Sequence, residues 1–138
     1  MTVETPEPKS GPALLISDDD PSILKALGRF FGSHGAQVVT DPSSNVVELA
    51  RTHQPVLIIL DIVQEIDGRD LLRELKGDAL TKDIEVFVLT ANDDPFVRRV
   101  CFELGASDCF VKPSDGRFLS KVVKRVAKAL RRLSPALR

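Results

Sequence analysis

The residues of this chain that could do chemistry are Asp18, Asp19, Asp61, Thr90 and Lys112, and each stands at the end of a short apolar run. Asp18, Asp19 and Asp20 follow "ALLIS" (13–17), and Asp61 follows "VLIIL" (56–60). Thr90 follows "IEVFVL" (84–89), and Lys112 closes "DCFVK" (108–112). Like-charged carboxylates at the tip of an apolar run repel one another unless a cation sits among them. Hard oxygen ligands, with one or two carboxylates and the remainder left to water and phosphate, describe a Mg²⁺ site. A carboxylate beside such an ion can attack phosphorus and become an aspartyl phosphate. A hydroxyl and an ammonium would then hold the phosphoryl oxygens, since phosphoryl transfer needs positioning and charge neutralisation more than covalent help.

The elements that must position these groups alternate short apolar runs with helix-period segments, the pattern of βαβ units and a parallel sheet. A fifth run, "AQVVT" (36–40), completes the strands. "VLIIL" shows no alternation, as suits a central parallel strand covered on both faces. In the first helical segment Ile23, Leu24, Leu27, Phe30 and Phe31 share a face; Asp20-Pro21 supplies an N-cap and first-turn proline, and Gly35 follows its end. Asp41-Pro42 is expected to open the second helix in the same way, ending near His53. The third is expected over about 68–76, the fourth over about 95–104, and the fifth over about 115–133. The expected architecture is a five-fold β/α repeat, (βα)5, in a single domain over 13–133. Residues 1–12, with three prolines, read as a disordered lead-in, and 134–138 as a short tail. In an open parallel sheet the carboxyl ends of the strands share one edge, where ligands bind. Three carboxylates, a hydroxyl and an ammonium therefore converge there.

Bulk properties leave this reading room. A chain of 138 residues, 43% hydrophobic and 28% charged, is long enough for one sizeable core. The net charge of −1 gives no general attraction to nucleic acid or anionic membrane. No apolar run reaches the length of a membrane span and no apolar signal core opens the chain, so the expected location is cytoplasmic. Cys101 and Cys109 fit no metal or redox spacing and read as reduced, buried thiols. The basic residues between Lys121 and Arg132 read most simply as the solvated face of the last helix, and His34 and His53 as helix-end residues.

"ISDDDPSIL", "VLIILDI", the "DG" at 67–68, "VFVLTA" and "GASDCFVKP" together resemble the receiver domain of two-component response regulators, over residues 13 to about 133. The resemblance implies a doubly wound, flavodoxin-like fold with strand order 2-1-3-4-5. It makes Asp61 the phosphoacceptor, Asp19 a direct Mg²⁺ ligand, and Asp18 a ligand acting through water. The backbone carbonyl of Val63 would complete the protein's share of the metal shell. Thr90, the backbone N–H of Ala91 and Lys112 would contact the phosphoryl group. Val63 and Asn92 would flank it and tune its hydrolysis. The Lys112–Pro113 bond is often cis in this family. The implied partners are a sensor histidine kinase or phosphotransfer protein, and an output protein at the face of the fourth helix, fifth strand and fifth helix, with neither nucleic acid nor membrane.

Two departures from the family pattern stand out. "DIVQEIDG" is one residue shorter than the usual loop and lacks its proline, and Cys109 occupies the position of an aromatic switch residue. Phe110 should point the other way along its strand and cannot simply substitute. The expected function is a stand-alone phosphoacceptor receiver that is not an enzyme. The alternative is a pseudo-receiver, a binding module independent of phosphorylation. An aspartate-nucleophile phosphatase is disfavoured because Val63 stands where such enzymes keep an acid. A flavin-binding protein is disfavoured because three aspartates would repel the flavin phosphate.

Overall fold

The computed structural model describes residues 13–64, 66–112 and 118–134. Strands and helices alternate along them as β1 (Ala13–Ser17), α1 (Pro21–Ser33), β2 (Gln37–Asp41), α2 (Val46–His53) and β3 (Leu57–Asp61). They continue as α3 (Gly68–Gly77), β4 (Glu85–Thr90), α4 (Pro95–Glu103), β5 (Asp108–Val111) and α5 (Phe118–Leu133). The strands form one parallel sheet in the order β2-β1-β3-β4-β5, the doubly wound arrangement expected. β3 is buried along its whole length, as its unbroken apolar run requires.

Residues of alternate direction on the strands feed two separate cores. Leu14, Ile16, Leu57, Ile59, Phe87 and Leu89 meet α1 and α5 on one face. Leu15, Ile58, Leu60, Val86 and Val88 meet α2, α3 and α4 on the other. Side chains of α5 that are four apart, Val122, Val126 and Leu130, are fully buried in the first core.

α1 begins as its sequence dictates. The Asp20 carboxylate accepts hydrogen bonds from Ser22 N (2.9 Å) and Ser22 Oγ (2.7 Å), with Pro21 in the first turn. Gly35 takes a positive φ of 96° after the helix, which a residue with a Cβ would resist. Phe30 departs from expectation. The buried stripe is Ile23, Leu24, Leu27 and Phe31, while Phe30 lies at its margin, 38% exposed, with its ring stacked on His34.

The start of the second helix is corrected. α2 begins at Val46, with Asn45 at its N-cap position making no side-chain cap bond. Asp41 instead ends β2, buried, and its carboxylate accepts from Ser17 Oγ (2.8 Å) and Ser43 N (3.0 Å). The acid that resembled a cap is held by a neighbouring strand. The expected tails, the Lys112–Pro113 bond and the start of the fifth helix near Asp115 involve residues outside those described.

Candidate functional site

Sheet pairing continues one residue past several strand ends. Asp18 N donates to Asp41 O (3.0 Å), Ile62 N to Leu89 O (3.0 Å) and Lys112 N to Thr90 O (2.7 Å). This extension fixes the backbone of Asp18, Asp61 and Lys112 on one edge, at the level of the ladder.

The side chains converge. Lys112 Nζ donates to Asp18 Oδ2 at 2.9 Å and to Asp61 Oδ2 at 3.0 Å, so one ammonium bridges two buried carboxylates. Asp18 Oδ1 accepts from Asp20 N (2.9 Å), and Asp61 Oδ1 from Val63 N (3.0 Å). Asp19 is exposed beside them. One oxygen each from Asp18, Asp19 and Asp61 lie within 4.8 Å of one another. Thr90 is fully buried and its hydroxyl accepts from Asn92 N (3.0 Å); a hydroxyl that accepts can still donate its own proton. Ala91 and Asn92 are exposed at the mouth, and Val63 is 57% exposed.

The electrostatics follow from burial. Burial raises the Asp61 carboxyl to about 6, assisted by the neighbouring Asp18 charge and opposed by Val63 N–H and Lys112. Burial alone would pull Lys112 down, but its two carboxylate partners outweigh that and hold it above its ordinary value. The site therefore has one cation for two buried acids, with a third acid at the rim. A set of hard carboxylate oxygens with more negative than positive charge fits a divalent cation such as Mg²⁺.

Gly68 shapes the loop that leads from Asp61. A Cβ there would lie 2.2 Å from Ile62 Cα and 2.8 Å from Asp61 O, so only glycine lets α3 start this close to the acid. Gly68 N donates to Ile62 O (2.9 Å), while the Asp67 side chain caps α3 through Arg69 N (2.9 Å).

Cys109 lies buried on the α2, α3 and α4 side of the sheet, with Cys101 in the same core. Burial raises both thiols, Cys101 to about 11, which keeps them protonated and unreactive. Phe110 packs on the opposite face, its ring centroid 6.0 Å from that of Phe87. No aromatic ring occupies the Cys109 position, so a relay by ring rotation there has no structural basis.

Sequence reasoning missed a polar group beneath the site. Gln64 Nε2 donates to Asp61 O (2.7 Å), Ser17 Oγ (3.0 Å) and Ser17 O (3.2 Å), and Gln64 Oε1 accepts from Ser44 Oγ (3.1 Å). The available signal was the polar residue closing each of three adjacent apolar strands: Ser17, Asp41 and Asp61.

A sequence model of the response regulator receiver domain matches residues 14–124. The chain is 34% identical over 117 residues to the transcriptional regulatory protein AfsQ1 of Streptomyces coelicolor, covering 83% of this chain and 51% of that protein. It is 32% identical over 115 residues to PilH of Pseudomonas aeruginosa, covering 82% of this chain and 95% of that protein. The chain thus spans about half the length of AfsQ1 and of other regulators it matches. Among solved structures, a putative response regulator from Chloroflexus aurantiacus superposes with a TM-score of 0.74 at 28% identity, covering 88% of this chain and 98% of that one. The BeF3-activated N-terminal receiver domain of Klebsiella pneumoniae RstA superposes with a TM-score of 0.71 at 27% identity, covering 86% and 98%. With the acids, the hydroxyl and the lysine gathered at one sheet edge, the chain belongs to the response regulator receiver domains of two-component signalling.

Proposed function

We propose that the chain is a Mg²⁺-dependent phosphoacceptor that takes a phosphoryl group on Asp61 from a histidine kinase or phosphotransfer protein. The observation that carries this reading is the Lys112 bridge, which places a fixed cation against a buried carboxylate at the open edge of the sheet. Asp18, Asp19, Asp61 and the Val63 carbonyl would hold the Mg²⁺. Bound there, the ion would supply a Lewis acid that neutralises the phosphoryl oxygens.

The chain's own groups do the remainder. The Asp61 carboxylate attacks phosphorus, an acyl phosphate bond forms, and the phosphorus–nitrogen bond to the donor imidazole breaks, its electron pair leaving with the ring. Lys112, released from the oxygen it holds on Asp61, pairs with the phosphoryl group instead. Thr90 donates its hydroxyl proton to a phosphoryl oxygen, and the Ala91 N–H donates alongside it. This makes the protein a signalling switch rather than an enzyme, acting in the cytoplasm. Among the described residues no helix is long and apolar enough to cross a membrane. An output protein would read the face of α4, β5 and α5.

Beryllium fluoride, a phosphoryl mimic, tests the arrangement. Added with Mg²⁺, it is expected to shift amide resonances of Val63, Thr90, Ala91 and Lys112 together. No change at these positions would favour a pseudo-receiver.

The exposed Val63 beside Asn92 leads to a prediction about lifetime. Its apolar side chain offers no group to orient an attacking water, so the acyl phosphate should outlast that of Val63→Asn by a few-fold. The decay of the phosphorylated species after donor removal measures this, and equal decay in the two proteins would contradict it.

A further inference from the structure

The shortened loop after β3 has no proline to stiffen it, yet its first residues must present both Asp61 and the Val63 carbonyl to one point. Gln64 supplies a tie. The amide orientation follows from its partners: Asp61 O and Ser17 O can only accept, so the NH₂ faces them, and the Oε1 faces Ser44 Oγ. Ser17 Oγ lies 2.8 Å from the Asp41 carboxylate and 3.4 Å from Gln64 Oε1, so its proton goes to the nearer, charged acceptor. Ser17 Oγ is then free to accept from Gln64 Nε2.

The result is a continuous chain, Gln64 to Ser17 to Asp41, with Ser44 on the other end of the amide and Ile66 N near Ser44 Oγ at 3.4 Å. It spans the ends of β2, β1 and β3, three neighbours in the sheet. Gln64 grips the carbonyl of Asp61 itself, three residues back along the same loop. The Val63 peptide lies between those two anchor points. The Val63 N–H, in the peptide before its carbonyl, is held by Asp61 Oδ1 (3.0 Å), and Gln64 on the other side of that carbonyl is held by its side-chain bonds, so the segment is tied at both ends.

We infer that Gln64 is the positioning residue of the metal site, aiming Asp61 and the Val63 carbonyl at the cation through its bonds to Asp61 O, Ser17 and Ser44. This inference rests on the Mg²⁺-dependent phosphoacceptor reading. Partners of this kind, one bond removed from a ligand, alter metal affinity by about 10–100-fold when removed.

Calorimetric titration of the whole chain with Mg²⁺ tests it. Gln64→Leu, of similar size but unable to make the bonds, is expected to weaken Mg²⁺ binding by about tenfold or more. Ser44→Ala, which removes only the Oε1 partner, should weaken it less. In phosphorylation by acetyl phosphate, the Mg²⁺ concentration giving half the maximal rate should rise by the same factor in Gln64→Leu. The rate at saturating Mg²⁺ should change only a few-fold. A merely structural role would lower stability to urea without moving Mg²⁺ affinity of the folded protein. Affinity within twofold of the native chain in both variants would overturn the inference while leaving the phosphoacceptor reading intact. If Gln64→Leu fails to fold, Ser44→Ala decides: weakened binding supports the tie and unchanged binding overturns it. Absence of Mg²⁺ binding by the native chain would overturn both readings.

Discussion

Lys112→Ala is expected to phosphorylate about 10²–10³-fold more slowly than the native chain, the usual consequence of losing one preorganised charge stabiliser of a transition state. The lysine is held in place before any donor arrives, its ammonium 2.9 Å from Asp18 and 3.0 Å from Asp61. Only a change of partner, from the Asp61 oxygen to the phosphoryl oxygens, is needed when negative charge develops there. The substitution also strands two buried carboxylates. Removing one partner of a buried pair typically costs about 3–5 kcal/mol, part of which proton uptake by Asp61 would relieve. Lys112→Arg keeps the charge but presents a planar fork that cannot bridge two carboxylates as a point charge does, so it should rescue stability more than rate. The rate of adduct formation, with circular dichroism to establish folding, measures both effects. A rate within a few-fold of native in Lys112→Ala would contradict the assigned role.

The second large effect concerns stability rather than transfer. Burial raises the Asp61 carboxyl to about 6 from an ordinary value of 3.8, so between these pH values the folded chain binds more protons than the unfolded one. Without Mg²⁺, this group therefore lowers stability as pH rises from about 4 through about 6, by on the order of 3 kcal/mol in all. Asp61→Asn keeps the shape and removes the charge, so it should abolish this part of the slope and be more stable than the native chain at pH 7.5. Millimolar Mg²⁺ should narrow the difference by binding only the native carboxylates. Urea unfolding at several pH values, with and without Mg²⁺, checks the sign. A native stability that is flat or rises across that window, with no gain in Asp61→Asn, would count against it. Asp20, Asp67 and Asp78, whose hydrogen bonds lower their pKa values, add slope of the opposite sign at lower pH and leave the window itself to Asp61.

The same electrostatics explain what the sequence could disclose. In a parallel sheet every strand runs the same way, so the residue after each apolar run must fall on one edge; Asp18, Asp61, Thr90 and Lys112 were legible for that reason. The apolar run "VLIIL" likewise announced a central strand, and β3 is buried along its whole length. Asp41 was not legible. An Asp-Pro pair reads the same whether the acid caps a helix or closes a strand, and only the nearness of Ser17, paired with it across β1 and β2, distinguishes the two. Phe30 was misplaced because a helical stripe has a margin, and its ring stacks on His34 at the surface instead of entering the core. Gln64 was missed because its partners are Ser17, 47 positions away, and Ser44, 20 positions away, contacts that no local pattern encodes. What local pattern did encode was the mismatch itself: a loop one residue short, in which a side chain takes over the fixing of the backbone.

Whether Asp61 receives a phosphoryl group is read from the intact mass of the chain. The native chain, incubated with Mg²⁺ and acetyl phosphate, should gain the mass of one phosphoryl group. That gain should disappear in Asp61→Ala and when Mg²⁺ is chelated, and it should be lost on treatment with hydroxylamine, as an acyl phosphate is. No adduct on the native chain, or an adduct that persists in Asp61→Ala, would contradict the account.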